Sequence, residues 1–79
     1  MRYEVTLPSL GEETDGTATV SFWLVGEGDA VRKGDDLVEL ITDKASFTLP
    51  SPKKGTMVEK LVEEDEEVHV GDALCVLEV

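Results

Sequence analysis

Leu37-Val38-Glu39-Leu40-Ile41-Thr42-Asp43-Lys44-Ala45-Ser46-Phe47-Thr48-Leu49 holds two strand-like runs, 37–41 and 47–49, separated by a short polar stretch. Extended segments joined this way read as a β-hairpin with Asp43 and Lys44 at its tip. A lysine on a tight turn holds its amine away from the domain, on a stem with few packing partners. Such a residue commonly serves solubility. The same geometry also suits an amine that another protein must reach. Lys44 is one of seven basic residues among eighteen acidic ones, and the organisation of the chain around it separates the two readings.

Outward from the hairpin, residues 3–7 alternate in strand fashion and stop at Pro8. Residues 9–16 form a polar loop punctuated by glycine. Residues 17–25, rich in Thr, Val and aromatic side chains with no breaker, predict a strand. Turns over 26–29 and 33–36 flank a brief extended touch at Val31. No window carries a sustained helical period. The chain is therefore expected to be all-β.

The second half repeats the first. Shifted by 37 residues, 19–40 lies on 56–77 with nine identities in 22 positions. Among them are Leu24 with Leu61, Val31 with Val68, Leu37 with Leu74 and Leu40 with Leu77. The pairs Gly34-Asp35 and Gly71-Asp72 place a glycine where a tight turn demands positive φ. Upstream, Val5-Thr6-Leu7-Pro8 is similar to Phe47-Thr48-Leu49-Pro50 at an offset of 42, which makes the loop after the first strand five residues longer than its counterpart. Each half supplies about four short strands and is too small to bury a core alone. Two halves facing each other predict a flattened β-barrel or sandwich of two four-stranded antiparallel sheets with quasi-two-fold symmetry. Lys44 then stands at the join between the halves, and both chain ends gather at the opposite end.

A length of 79 residues predicts one domain, spanning 1–79. Its 41% hydrophobic content excludes a disordered acidic tail despite a net charge of −11. No apolar run approaches the roughly 20 residues that span a bilayer, and no secretory or transit signature stands at Met1. So acidic a surface repels phosphate backbones and anionic lipid, which argues against nucleic-acid and membrane partners. The acid serves solubility, or steers the domain to basic patches on partner proteins. His69 and Cys75 are too few for a zinc site, and one cysteine forms no internal disulfide. An enzyme is not expected. Cys75 alternates with Leu77 and Val79 as a buried small hydrophobe, His69 points outward between two valines, and the acidic run 63–67 is a solvated turn. Trp23 is expected half exposed, as packing.

With these residues in place, the chain resembles a known family. The run Leu37 through Ala45, with Asp43-Lys44-Ala45 at its centre, is similar to the lipoyl-attachment hairpin of the biotinyl/lipoyl-attachment domains. Leu7-Pro8-Ser9-Leu10-Gly11-Glu12 resembles the family's opening. Trp23-Leu24-Val25 with Glu27-Gly28-Asp29, and Ser51-Pro52 with Gly55, match further along. The resemblance covers nearly the whole chain and is to the lipoyl domains of dihydrolipoyl acyltransferases of 2-oxo acid dehydrogenase complexes. It implies a non-catalytic carrier bearing lipoic acid in amide linkage on Lys44, with Asp43 and Ala45 read by the attaching enzyme, a lipoate ligase or lipoyl transferase. Further implied partners are a thiamine-diphosphate-dependent 2-oxo acid dehydrogenase, the acyltransferase catalytic domain and dihydrolipoamide dehydrogenase. The implied location is the bacterial cytoplasm, or the mitochondrial matrix for the mature form of a eukaryotic protein. One position departs from the pattern: many members carry an acid before the Thr-Asp-Lys turn, and here it is Ile41.

Three other readings compete. Biotinyl carrier domains share the duplicated fold but typically flank the modified lysine with Met on both sides, where this chain has Asp43 and Ala45. A glycine-cleavage carrier is usually longer and carries helices not expected here. A plain β-sandwich interaction module leaves the Asp43-Lys44-Ala45 turn at the symmetry join without explanation. Finally, the long loop after the first strand should be delivered beside the hairpin. Its residues Leu10, Gly11, Glu12, Glu13, Thr14 and Asp15 are expected to meet a partner docking on the arm, unless the loop merely closes that end of the sandwich.

Overall fold

A computed structural model describes residues 1–9 and 16–79. Among these residues, short runs of alternating burial make eight strands: β1 (Arg2–Thr6), β2 (Thr17–Trp23), β3 (Ala30–Val31), β4 (Asp36–Ile41), β5 (Ser46–Pro50), β6 (Gly55–Lys60), β7 (Glu67–His69) and β8 (Ala73–Glu78). They form two four-stranded sheets, ordered β1-β8-β6-β3 and β5-β4-β2-β7, with every pairing antiparallel. The expected all-β sandwich is the architecture observed. Its halves are not laid one per sheet, however: each sheet takes two strands from each half. The short strand β3 crosses to pair with β6, and β7 crosses to pair with β2. Neither half could fold without the other supplying an edge.

The core lies between the sheets and repeats with the sequence. Val20 and Met57, Leu37 and Leu74, and Leu40 and Leu77 are equivalent pairs, and all six are fully buried. Cys75, equivalent to the buried Val38, packs with them, and burial pushes its thiol up from 9.0 to about 11. Trp23 is partly buried against this cluster, and its indole N–H donates to the Val62 carbonyl at 3.1 Å. Even irregularities recur: the β2–β4 register shifts at Ser21 and the β6–β8 register at Val58, 37 residues on.

Turn chemistry is duplicated bond for bond. The Arg32 N–H donates to Asp35 Oδ2 at 2.9 Å, and the His69 N–H donates to Asp72 Oδ2 at 2.8 Å. Gly34 and Gly71 both sit at φ 94°, where an L side chain is strained. Likewise Gly28 at φ 95° has its counterpart in Asp65 at φ 71°; aspartate is among the residues that tolerate this region.

One offset is corrected by the pairing. β4 sets Val38 against Leu49 and Leu40 against Phe47, while β8 sets Cys75 against Val5 and Leu77 against Tyr3. Val5 is thus equivalent to Leu49, an offset of 44 rather than 42. The segment after β1 is consequently seven residues longer than its counterpart, the difference between offsets of 44 and 37, not five. A slip of two residues leaves every side chain on its own face, so the predicted core is unaffected.

Candidate functional site

The β4–β5 hairpin closes between Ile41, paired with Ser46, and the two-residue tip Asp43-Lys44. No residue of this turn has positive φ, so it is not the primed turn that usually closes a two-residue hairpin. Thr42 replaces the missing geometry with its side chain. The Thr42 hydroxyl accepts from the Lys44 N–H at 3.2 Å and from the Ala45 N–H at 3.1 Å, and donates to the Ala45 carbonyl at 3.1 Å. The Thr42 N–H also donates to that carbonyl, at 2.8 Å. One hydroxyl thus uses both lone pairs and its proton to hold Lys44 and Ala45. Sequence reasoning placed the hairpin and missed this brace, although a Thr two and three residues before the amides it binds is the pattern of a hydroxyl-closed turn.

Asp43, Lys44 and Ala45 are all exposed. Among the described residues the Lys44 ammonium has neither a hydrogen bond nor an ion pair; the salt bridges there involve Met1, His69, Glu67, Asp72 and Glu78. What the hairpin presents is a primary amine on a fixed backbone, with no described carboxylate holding it down. Such an amine is able to form an amide without first breaking a contact to any described side chain.

The hairpin and the chain ends lie at opposite ends of the sandwich. Ile41 pairs with Thr19, Thr17 pairs with His69, and the Leu7 N–H donates to the Asp72 carbonyl at 2.9 Å. That series runs from the hairpin to the far end of β1. The near end of β1 meets the end of β8, where the Met1 amine donates to the Val79 carbonyl at 3.0 Å and pairs with Glu78 at 3.3 Å. With a longest dimension of 33 Å, the domain holds its lysine well away from any chain attached at either terminus.

Leu10, Gly11, Glu12, Glu13, Thr14 and Asp15 lie outside the described residues. Their flanks do not: Leu7 is bonded to Asp72 and Gly71, and the Gly16 carbonyl accepts from Val70 at 2.8 Å. Both flanks are at the lysine end. An open groove beside the hairpin is lined by Thr17, Thr19, Ile41, Thr42, Asp43 and Glu67 among the described residues. Ile41 is 44% exposed there, extending the sheet yet leaving nearly half its surface in water. His69 is exposed as expected, between Glu67 at 3.7 Å and Asp72 at 3.6 Å. Among the described residues no three His, Cys, Asp or Glu side chains gather as a metal site.

Residues 3–77 match the biotin/lipoyl family, described as biotin-requiring enzyme. The lipoamide acyltransferase component of the branched-chain alpha-keto acid dehydrogenase complex of Bacillus subtilis (strain 168) is 42% identical over 76 residues, which is 95% of this chain and 18% of that protein. The dihydrolipoyllysine-residue acetyltransferase component of the pyruvate dehydrogenase complex of Corynebacterium glutamicum is 46% identical over 91% of this chain and 10% of its own length. The chain therefore spans less than a fifth of either relative. Among solved structures, the lipoyl domain of the 2-oxoglutarate dehydrogenase complex of Azotobacter vinelandii superposes with a TM-score of 0.75 at 25% identity, covering 96% of this chain and 95% of that one. A urea carboxylase from Kluyveromyces lactis shares the fold, with a TM-score of 0.81 at 18% identity over 99% of this chain and 6% of its own. A duplicated eight-stranded sandwich, a braced lysine turn at its symmetry join and these relatives agree: the chain belongs to the biotin/lipoyl attachment family, as a lipoyl domain of the kind found in dihydrolipoyl acyltransferase components of 2-oxo acid dehydrogenase complexes.

Proposed function

We propose that Lys44 is the attachment residue and that the group it carries is lipoate, in amide linkage to Nζ. The observation that carries this reading is an exposed ammonium with no partner among the described residues, on a turn locked by Thr42, at the end opposite both termini. Lipoate is favoured over biotin by the tip itself, where Asp43 and Ala45 stand in place of flanking methionines. The acyltransferase relatives support the same choice. When bound, lipoate would supply a disulfide that takes up an acyl group together with two electrons, and later gives up the acyl group and the electrons to different acceptors.

The part played by this chain is to hold, present and be recognised. Anchoring at a rigid turn, with flexibility left to the side chain, keeps the carried group at high local concentration for each enzyme within reach. The domain itself is non-catalytic in this reading. Its partners are a lipoate ligase or lipoyl transferase, a thiamine-diphosphate-dependent 2-oxo acid dehydrogenase, an acyltransferase catalytic domain and dihydrolipoamide dehydrogenase. The attaching enzyme reads Asp43 and Ala45 beside the lysine, and segment 10–15, whose flanks are at this end, is offered to the dehydrogenase.

Incubation with a lipoate ligase, ATP and lipoate tests the assignment. The parent should gain one lipoyl group and the Lys44→Arg variant none, although Arg keeps the charge and the turn. Lipoylation of Lys44→Arg would place the site elsewhere, and biotinylation in preference to lipoylation by the matching ligases would reverse the choice of group.

A further inference from the structure

We infer that the outer face of the β2–β4 pair below the lysine hairpin, centred on Ile41 and Phe22, is where this domain docks on the dehydrogenase that acylates it. The surface it fits is an apolar contact within a rim of Lys and Arg. The inference rests on the carrier reading above.

Internal symmetry supplies the argument. Positions 37 residues apart occupy equivalent places in the two sheets and meet the same structural demands. Ile41 is equivalent to Glu78, and Phe22 to Glu59. Both glutamates are exposed on their strands, so the fold accepts a charge at each place. Ile41 and Phe22 nevertheless put apolar side chains into water, 44% and 40% exposed. The contrast is Leu24 and Leu61, 42% and 39% exposed, where the same residue recurs in both halves and nothing distinguishes one face from the other.

The two apolar residues share a face. Ile41 is opposite Thr19, and Phe22 is opposite Glu39, while Val20 and Leu40 between them point into the core. Ile41 and Phe22 are therefore diagonal neighbours on adjacent strands, within about 8 Å, a spacing that large side chains bridge. Glu39, Glu67 and Asp43 flank them.

Charge is segregated along the same axis. Beside His69, which is flanked by Glu67 and Asp72, the basic side chain at this end is Lys44, and amide formation removes the lysine's charge. Of the remaining six basic residues, Arg32 and Lys33 lie on the turn joined to the segment carrying Lys53 and Lys54, through Gly34 N–H to the Ser51 carbonyl at 2.8 Å. That turn is equivalent to the one at 69–72 and hence belongs to the opposite end. Arg2 pairs with Glu78 across β1 and β8, and Lys60 lies 5.4 Å from the Trp23 ring centroid. The loaded domain therefore approaches a partner with an acidic, apolar-centred face forward, complementary to a basic-rimmed one.

Reductive acylation of the lipoylated domain tests this, using the purified thiamine-diphosphate dehydrogenases of the source organism supplied with pyruvate, 2-oxoglutarate or 3-methyl-2-oxobutanoate. The variants are Ile41→Thr and Phe22→Thr, which keep strand propensity and net charge, with Glu59→Gln and Glu78→Gln as controls on the equivalent face. Each Thr variant should lower kcat/KM for the domain about tenfold, and the pair about a hundredfold, mostly through KM. The controls should stay within about twofold of the parent, whose kcat/KM should also fall as salt is raised. Circular dichroism checks that both variants fold. Should the pair not fold, the single variants are read alone. A lipoylated Ile41→Thr, Phe22→Thr domain acylated as fast as the parent overturns the inference and leaves the carrier reading intact. So does parent self-association that Ile41→Thr abolishes, since the occupant would then be a second copy. A parent that gains no lipoyl group overturns the carrier reading and this inference with it.

Discussion

Removing the Thr42 hydroxyl while keeping its shape, as in Thr42→Val, should loosen the lysine turn without unfolding the sandwich. The substitution deletes two accepted bonds, from the Lys44 and Ala45 N–H groups at 3.2 and 3.1 Å, and one donated bond. Both residues are exposed, so water takes over the freed amides. The two amide bonds are then each at the low end of the usual 0.5–1.5 kcal/mol, giving about 1 kcal/mol in all, while the Ala45 carbonyl keeps its bond from the Thr42 N–H; the loss of a helix N-cap, the same kind of bond, is of similar size. In a domain of this length that lowers Tm by roughly 4–8 °C. The same ~1 kcal/mol shifts the balance between the braced turn and its alternatives about fivefold. Ligase kcat/KM should therefore fall by up to about fivefold, and amide exchange at Lys44 and Ala45 should quicken by a similar factor. Thr42→Ser, which retains the hydroxyl, should stay near the parent in all three measurements. A Thr42→Val domain with unchanged exchange and unchanged lipoylation would refute the brace; so would Thr42→Ser behaving like Thr42→Val.

Replacing Asp43 and Ala45 together by Met should lower lipoylation and permit some biotinylation, measured by mass after incubation with each ligase, because the two ligases must part company over one fold. Unchanged lipoylation with no biotin uptake would move recognition away from these neighbours. Gly55→Ala should cost about 1–3 kcal/mol in urea denaturation, since a Cβ there would collide with the Glu78 carbonyl and stand 3.0 Å from Val79 Cγ1; a loss under about 0.5 kcal/mol would mean that β6 and β8 part easily. Cys75 should resist alkylation in the native state at pH 8 and react on unfolding. Its folded pKa is raised, from 9.0 to about 11, so the folded form keeps a proton that the unfolded chain loses. Its contribution is whole below pH 9 and is lost through the 9 to 11 window, at most roughly 2–3 kcal/mol. Cys75→Ala should remove that slope, and an equal slope in the variant would assign it to other groups.

The hairpin, the duplication and the alternation of buried residues were legible because each is a local or periodic signal. Leu40 and Leu77, or Gly34 and Gly71, declare themselves by type and spacing alone. The offset upstream was not. Val5-Thr6-Leu7-Pro8 and Phe47-Thr48-Leu49-Pro50 look alike, but Leu7 is matched in space by Ser51 and Pro8 by Pro52. Both registers keep the same residues facing inward, so periodicity has no power to choose between them; pairing with β4 and β8 decides. Exchange of β3 and β7 between the halves is likewise set by hydrogen bonds across the molecule, such as Gly28 N–H to the Met57 carbonyl at 2.6 Å and Asp65 N–H to the Val20 carbonyl at 2.7 Å. At the site, Lys44 was legible from its place at the join. That no described carboxylate pairs with it depends on where the acidic side chains end up, and only the fold decides that.

Intact mass of the domain isolated from its native cell, followed by peptide fragmentation, tests the central claim most directly. One lipoyl group should be found, in amide linkage on Lys44, with every other lysine unmodified. Biotin on Lys44, or lipoate on any of Lys33, Lys53, Lys54 or Lys60, would contradict it.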